Sequence, residues 1–246
     1  EISLKAEELF HIGSFPVTNS LLLSAIILVL LLGTGLLIRR KISVIPGKFQ
    51  NVAESILEGF LKLMDSVLGN REKSEKYLPL VVTIFLLVVL SNWFGLLPGV
   101  GSIGMHTEHD GHALFVPIFR APSADLNFTI AIAILAVLSV NLFGVLAVGF
   151  LRHFSKYFSF KNPIHTFVGL LEFISEFAKM ISFSFRLFGN IFAGEVLLII
   201  VGFLVPYIVP LPFLFLEIFV GFIQGFVFAM LTLVFIAGAT AHEEAH

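Results

Sequence analysis

Five long runs of apolar residues constrain this chain more than any other feature of its sequence. Runs of about 20 residues match the ~30 Å hydrocarbon thickness of a bilayer, because an α-helix rises ~1.5 Å per residue. Of the 246 residues, 57% are hydrophobic and 13% are charged, and the mean hydropathy is +1.00. A soluble domain of this length could not bury so much apolar surface. The sequence therefore predicts an all-α integral membrane protein.

Polar interruptions set the boundaries of the predicted helices. We expect crossing helices at residues 17–38, 78–97, 126–151, 163–205 and 211–239, all in one membrane domain that spans residues 1–246. Residues 1–16 are polar, and residues 98–125 are expected to form a loop. The first run has no small-residue cleavage site behind it, so we interpret it as a retained crossing helix. The fourth would be about 60 Å long, so we expect the last two crossing helices to be long and tilted.

Residues 46–69 have a different pattern from the five runs. Apolar residues such as Phe49, Ile56 and Phe60 recur there at spacings of three and four, and Lys48, Glu54, Glu58, Lys62 and Asp65 fill the opposite face. This periodicity predicts an amphipathic helix that lies on the membrane surface.

Basic residues are concentrated in two of the linkers. Eight lie between the first and second runs, and three lie between the third and fourth: Arg39, Arg40, Lys41, Lys48, Lys62, Arg71, Lys73, Lys76, Arg152, Lys156 and Lys161. The opposite side carries Lys5 and Arg120. Because basic linkers stay in the cytoplasm, we expect the N-terminus outside and the C-terminus in the cytoplasm.

Charge and composition also exclude several classes of function. A net charge of −2 argues against a nucleic-acid partner. The chain has no cysteine, which excludes thiolate metal sites, disulfides and thiol nucleophiles. It also lacks a phosphate-binding glycine-rich loop, and we expect no cofactor.

Polar residues inside the fourth run are candidate functional groups, because an ionisable group at membrane depth costs at least ~2.5–3.5 kcal/mol. Separations of 3, 4 and 7 nearly close whole helical turns. They place one set of side chains on a single stripe: Glu172, Glu176, Lys179, Arg186 and Asn190. Glu195 lies nine residues past Arg186 and faces elsewhere.

The fifth run carries a second polar face. It comprises Glu217, Gly221, Gln224, Gly225 and Phe228. Glycines at helical spacing permit close approach by a neighbouring helix. We therefore expect this face to be packed inside the protein.

Arginine and the carboxylates differ in what they can do at membrane depth. Carboxylates in a low-dielectric setting can gain or lose protons near neutral pH, whereas arginine stays charged. Arg186 is thus a poor proton relay and a good fixed positive charge, which would attract an ionised carboxylate and repel a leaking proton. The alternative is a structural ion pair, which Glu172 or Glu176 could form with Arg186 only through cross-helix packing.

The string SFRLFGNIFAGE at residues 184–195 resembles the signature of subunit a of the F-type ATP synthase, bacterial type. Residues 92–99, 122–127 and 223–228 resemble further segments of that family in the same order. The resemblance implies a stator subunit in the bacterial inner membrane that lies against a rotating ring of small hairpins, the c-ring. Two offset aqueous half-channels would load and unload the ring carboxylates. Other implied partners are the peripheral stalk subunit b, further synthase subunits and lipid.

The resemblance also implies roles for individual residues. Arg186 would be the essential arginine between the half-channels, with Asn190 and Gln224 near it. Glu195 would line the outer half-channel, and Ser123, Asp125 and Asn127 its mouth. Glu172 would belong to the cytoplasmic exit. The chain itself would not be an enzyme, although it would belong to an ATP-forming complex.

One position departs from the family pattern. Many bacterial relatives pair the Glu195 position with a histidine where this chain has Glu217. Two glutamates that face one path could share a proton, because like charges repel. The order of proton transfer between them stays open.

Other sequence features offer alternatives. The tail His242-Glu243-Glu244-Ala245-His246 has the H-E-x-x-H pattern of zinc proteases, so an intramembrane metalloprotease is the main rival, against an ordinary solvated tail. The histidines of residues 106–112 could bind a transition metal, although a mobile solvated loop is favoured. A secondary transporter is a further rival, against which the lack of an internal repeat argues.

Overall fold

Helices dominate the computed structural model, which describes residues 6–43, 47–109, 112–155, 157 and 163–240. The described helices are α1 (Asn19–Lys41), α2 (Lys48–Leu68), α3 (Arg71–Gly95), α4 (Leu126–Val148), α5 (Phe150–Ser155), α6 (Pro163–Leu204) and α7 (Pro210–Thr240). Among them, α1, α3, α4, α6 and α7 are long and apolar enough to cross a membrane. The predicted all-α membrane protein with five crossing helices is thereby confirmed.

Several helix boundaries differ from those expected from the apolar runs, and two of the differences have a local cause. Helix α3 begins at Arg71, well before residue 78, because the Asn70 side chain caps its first turn by accepting from the Glu72 backbone N–H at 2.8 Å. Helix α4 ends at Val148, before residue 151, because Gly149 has a φ of 90°. The short helix α5 follows as a separate element.

Two β-hairpins occupy segments that the sequence analysis interpreted as a polar terminus and a loop. Strands β1 (Glu8–Ile12) and β2 (Phe15–Thr18) pair antiparallel, and Gly13 at their turn has a φ of 63°. Strands β3 (Gly104–His109) and β4 (His112–Pro117) pair antiparallel, with His109 opposite His112. The interpretation of residues 98–125 as a loop was wrong in part, because residues 104–109 and 112–117 pair as antiparallel strands.

The hairpins define one end of the helix bundle. They precede α1 and α4, so the end that carries β1–β4 is called the hairpin end, and the end that carries α2 and α5 is called the linker end. The two hairpin regions meet there, since Asn19 at the start of α1 donates from Nδ2 to the carbonyl of Pro117 at 3.2 Å. A 3₁₀ turn, Pro122–Ala124, leads from β4 into α4.

Helix α2 lies against the bundle by its second half. Its Phe60 and Met64 are buried with Tyr77, Val81 and Phe85 of α3 and Leu233 of α7. In contrast, Val52 in the first half is 61% exposed. The apolar stripe predicted for this helix therefore faces the protein in one half and is open in the other.

A second apolar core joins α3, α4, α6 and α7. It contains Val88 of α3, Ala136 of α4, Phe183 and Leu187 of α6, and Phe228 of α7. The Phe183 and Phe228 rings lie 4.7 Å apart between centroids. This core fixes the middle of α6 and α7, where most of the candidate residues lie.

Candidate functional site

Helices α6 and α7 pack antiparallel in a definite register. Phe183 contacts Phe228, and eleven residues further along α6, Gly194 contacts Glu217, which lies eleven residues earlier in α7. By this register Arg186 lies at the level of Gly225, and Gln224 lies at the level of Leu187. The sequence signature of α6 and the polar face of α7 therefore meet at the same depth.

Glu217 fills a space that Gly194 leaves open on α6. A Cβ at residue 194 would lie 2.0 Å from the Glu217 Cδ, so no side chain larger than hydrogen fits there without movement. Glu217 is only 6% exposed. Because Gly194 directly precedes Glu195, both glutamates belong to the same stretch of the α6–α7 interface.

Helix α3 holds the other side of α7. Asn92 donates from Nδ2 to the Gly221 carbonyl at 2.8 Å, and Trp93 donates from Nε1 to the Ile218 carbonyl at 2.9 Å. A Cβ at Gly225 would lie 2.5 Å from Val89 Cγ2. The glycines of the predicted polar face thus allow α3 to pack closely against the part of α7 that carries Glu217.

Arg186 lies on the open face of α6. Its side chain is exposed, and within the described residues it makes one side-chain hydrogen bond, from Nη2 to Ser182 Oγ at 3.2 Å. It forms no ion pair there with Glu172 or Glu176, so nothing described supports the structural-pair alternative. Asn190 is exposed one turn further along the same face, and Gln224 of α7 is half-buried.

A polar cluster at the hairpin end contains the predicted Ser123 and Asp125. Asp125 is buried, caps α4 by accepting from the Asn127 backbone N–H at 3.0 Å, and also accepts a hydrogen bond from Ser20 Oγ of α1. Ser123 is fully buried, and its hydroxyl has no hydrogen-bond partner among the described residues. Asn127 is exposed beside this cluster.

Arg120 brings a buried positive charge to the same end. Its Nε lies 3.9 Å from Glu195 Oε2, and its side chain is 8% exposed. This pair joins the predicted Glu195 of α6 to the segment that holds Ser123 and Asp125. Sequence reasoning noted Arg120 only as a charge on the outer side, because its nearness to Glu195 depends on tertiary packing.

Glu7 extends this cluster towards the N-terminus. Its Oε2 accepts a long hydrogen bond, 3.5 Å, from Asn19 Nδ2, and its carbonyl accepts from the Asn19 backbone N–H at 3.1 Å. Burial raises the pKa of the Glu7 carboxyl, and the Arg120 charge partly opposes that rise. Neither Glu7 nor Asn19 was predicted as a site residue.

A second polar cluster lies at the linker end. Glu176 of α6 accepts from Lys179 Nζ at 2.7 Å and from Asn141 Nδ2 of α4 at 3.3 Å. The Asn141 Oδ1 accepts from Tyr157 OH at 3.3 Å and lies 3.1 Å from His153 Nε2. His153 is buried and packs over Gly144, whose added Cβ would lie 2.5 Å from the ring.

The surroundings of Tyr157 in the linker-end cluster change the pKa of its phenol. Burial and, next, the negative charges of Glu176 and Glu172 raise the pKa of Tyr157, so the phenol stays neutral and donates its hydrogen. Glu172 itself is half-buried near this cluster. Asn141, His153 and Tyr157 were not predicted, because no periodicity links α4 and the α5 linker to the stripe on α6.

The predicted site residues therefore fall into three places. Ser123, Asp125 and Glu195 meet at the hairpin end, with Glu217 next to them in the α6–α7 interface; Arg186 and Asn190 lie on the open face of α6; Glu172 lies at the linker end. Within the described ranges, no three His, Cys, Asp or Glu side chains form a group suited to a metal. The terminal H-E-x-x-H and Asp110-Gly111 lie outside those ranges.

Comparison with known proteins places the chain in one family. A family model described as ATP synthase A chain matches residues 20–237. ATP synthase subunit a of Campylobacter jejuni subsp. doylei is 36% identical over 240 residues, which cover 96% of this chain and 91% of that protein. ATP synthase subunit a of Moorella thermoacetica is 33% identical over 233 residues, covering 94% of each. That of Campylobacter fetus is 32% identical over all of this chain.

Proposed function

Because the chain belongs to the ATP synthase A chain family, we propose that it forms two offset half-channels that carry protons to and from a rotating ring of carboxylates. As a subunit a of the synthase membrane sector, it is a multi-pass membrane protein that associates with other synthase subunits. What we propose beyond this is that the chain forms half-channels, that they open on opposite sides of the membrane, and that they serve a ring.

The observation that carries this proposal is the position of Arg186 between two separate sets of carboxylates. Glu195 lies nine residues further along α6, about 13.5 Å along the helix axis. Glu172 lies fourteen residues in the other direction, about 21 Å away. Arg186 itself is exposed on the open face, where a partner helix can approach it. A fixed cation there interrupts any continuous path of titrating groups along α6.

The two sets of carboxylates define the path of a proton through the protein. At the hairpin end, a proton passes the cluster of Ser123 and Asp125, reaches Glu195 and Glu217, and neutralises a ring carboxylate. After rotation, the ring carboxylate loses its proton towards Glu172 at the linker end. Arg186 stabilises the ionised ring carboxylate as it passes and repels a proton that would cross directly. Each charge that crosses gains about 2.3 kcal/mol per 100 mV, which drives rotation.

The proposal also assigns each end of the bundle to one side of the membrane and names the subunits that contact it. The basic linkers support a linker end in the cytoplasm and a hairpin end outside the bacterial inner membrane. The ring packs on the open face of α6, where the exposed apolar residues Val168, Leu197 and Ile200 lie on the same side of the helix as Arg186. The peripheral stalk subunit b binds elsewhere on the bundle. The chain carries protons only, and ATP forms in another part of the complex.

The absence of cysteine allows a direct test of the two openings. Asn127→Cys and Glu172→Cys would be introduced singly into the complete synthase in closed membrane vesicles, with Leu135→Cys of α4, 63% exposed on the bundle surface, as the lipid-facing control. A membrane-impermeant maleimide should modify residue 127 from the outside only and residue 172 from the cytoplasmic side only, and should spare residue 135. Modification of both from one side would contradict two offset half-channels.

A further inference from the structure

The N-terminal segment before β1 contributes a carboxylate to the polar cluster at the hairpin end. Glu7 is half-buried, and its backbone and side chain both bond to Asn19, which is fully buried at the start of α1. Asn19 in turn donates to the Pro117 carbonyl at 3.2 Å, and its Oδ1 accepts from the Ser20 backbone N–H at 2.9 Å. Glu7 is thus tied to the residue next to the Ser20–Asp125 hydrogen bond.

The same carboxylate shares electrostatic partners with Glu195. Arg120 Nε lies 3.9 Å from Glu195 Oε2, and burial raises the pKa of the Glu7 carboxyl more than the Arg120 charge lowers it. Two carboxylates from opposite ends of the sequence therefore face one buried arginine. The third carboxylate of the cluster, Asp125, is bound to Ser20 and to the start of α4.

The neighbouring residues of the hairpin are oriented differently. Glu8 is 40% exposed and lies 3.5 Å from His11, which is 57% exposed, so both side chains are on the outer surface of the hairpin. Glu7 directly precedes β1, and a register shift between Glu8 and Phe10 interrupts the strict alternation of side chains in that strand. Glu7 is the inward member of an adjacent pair of glutamates.

We propose that Glu7 is a further residue of the outer proton path: its carboxylate collects protons at the mouth and passes them towards Glu195 beside Arg120. This inference rests on the proposed function, since it assigns the N-terminal segment to the outer half-channel. A carboxylate in a cleft concentrates cations around it, an effect that salt weakens. The charged described groups that face Glu7 are Arg120 and Glu195, with Asp125 next to Asn19 and Ser20.

The test uses the complete synthase in liposomes and measures ATP synthesis driven by an imposed proton gradient. The ionic strength is low, and the pH is neutral on the side of the membrane that the hairpin end faces. Under these conditions Glu7→Gln should reduce the initial rate of ATP synthesis by about threefold to tenfold, because the charge that concentrates protons is lost. The reduction should shrink as salt is added. Glu8→Gln, the matched control, should keep the wild-type rate, and Glu7→Asp, which keeps the charge, should lose less than about twofold.

Two further measurements separate the possible outcomes. Immunoblotting of the chain in the membrane normalises each rate to the amount of assembled complex. A wild-type rate in Glu7→Gln, or an equal loss in Glu8→Gln, would overturn the role of Glu7. If Arg186→Ala is inactive in the same assay while Glu7→Gln is unaffected, the role of Glu7 fails and the proposed function stands. If Arg186→Ala retains full synthesis, both fail.

Discussion

Glu217 of α7 occupies the space in which a side chain at Gly194 of α6 would lie. The added Cβ would be 2.0 Å from the Glu217 Cδ and 2.1 Å from each carboxylate oxygen. The contact couples the glycine that precedes Glu195 in α6 to Glu217, the second glutamate of the proposed outer path. A buried carboxyl at this position is possible because the opposing residue has no Cβ.

We expect Gly194→Ala to impair coupled proton transport. Overpacking costs about 1–3 kcal/mol, which exceeds the gain of about 1 kcal/mol from replacing a helical glycine by alanine. ATP-driven acidification of vesicles measures the effect. Gly202→Ala is the control, because an added Cβ there meets no atom within 4 Å.

A compensating change sharpens this prediction. Glu217→Asp shortens the opposing side chain by one methylene, so the double variant Gly194→Ala with Glu217→Asp should recover part of the transport lost in the single variant. If Gly194→Ala transports as well as the wild type does, or if the double variant is no better than the single, the contact has no functional role.

The two glutamates of the α6–α7 interface should be partly redundant. Glu195→Gln should reduce proton transport less than the double change of Glu195 and Glu217 to Gln, because Glu217 can still accept a proton. Rates of ATP-driven pumping in vesicles compare the two variants and Glu217→Gln. Equal and total loss in both single variants would show that neither glutamate replaces the other.

Much of the fold was predictable because apolar run length and helical period are local properties. The crossing helices and the stripe that holds Arg186 and Asn190 follow from them. The hairpins have local sequence signals of their own. Gly13-Ser14 and Asp110-Gly111 separate the paired strands in sequence, and such dipeptides favour two-residue hairpin turns.

Only part of the hairpin-end cluster was predictable from the sequence, because the cluster depends on tertiary contacts. Ser123 and Asp125 belong to a segment that resembles the family, but Ser20 of α1 bonds to Asp125, and Glu195 of α6 pairs with Arg120 of the same segment. No spacing in the sequence encodes those contacts, since they depend on how α1 and α6 pack beside the 3₁₀ turn. The linker-end cluster around Asn141 was missed for the same reason.

Asn141 should be the residue on which the linker-end cluster depends. Its amide contacts Glu176, His153 and Tyr157, so Asn141→Leu removes one hydrogen-bond partner from each of them, at about 0.5–1.5 kcal/mol per hydrogen bond. Faster hydrogen exchange in residues 150–155 should report the loosened attachment of α5. Tyr157→Phe removes one hydrogen bond and should have a smaller effect, and Asn51→Leu on the exposed face of α2 should have none.

Arg71 should attach α2 to α3 in a pH-dependent way. It pairs with Glu58 at 2.9 Å and with Asp65 at 3.0 Å. The hydrogen bond with Arg71 lowers the pKa of Glu58, and hydrogen bonds with Ser74 and then Arg71 lower the pKa of Asp65. A lowered carboxyl pKa stabilises the folded form above the ordinary value of about 4, and the stabilisation is lost as the pH falls through the lowered value.

Hydrogen exchange in α2, corrected for the intrinsic effect of pH, should therefore become faster below about pH 4 in the wild type. In Arg71→Met it should already be faster at neutral pH and should change less with acid. A variant that matches the wild type at both pH values would show that these ion pairs do not hold α2.

The most direct test of the account is proton flow in Arg186→Ala. Vesicles that carry the complete synthase with this change should show no acidification on ATP hydrolysis and no ATP synthesis from an imposed gradient, because the fixed charge between the two carboxylate sets is gone. Ser182→Ala, which removes the hydrogen-bond partner of Arg186 and leaves its charge, should retain transport. Wild-type rates of acidification in Arg186→Ala vesicles, at equal amounts of assembled complex, would contradict the account.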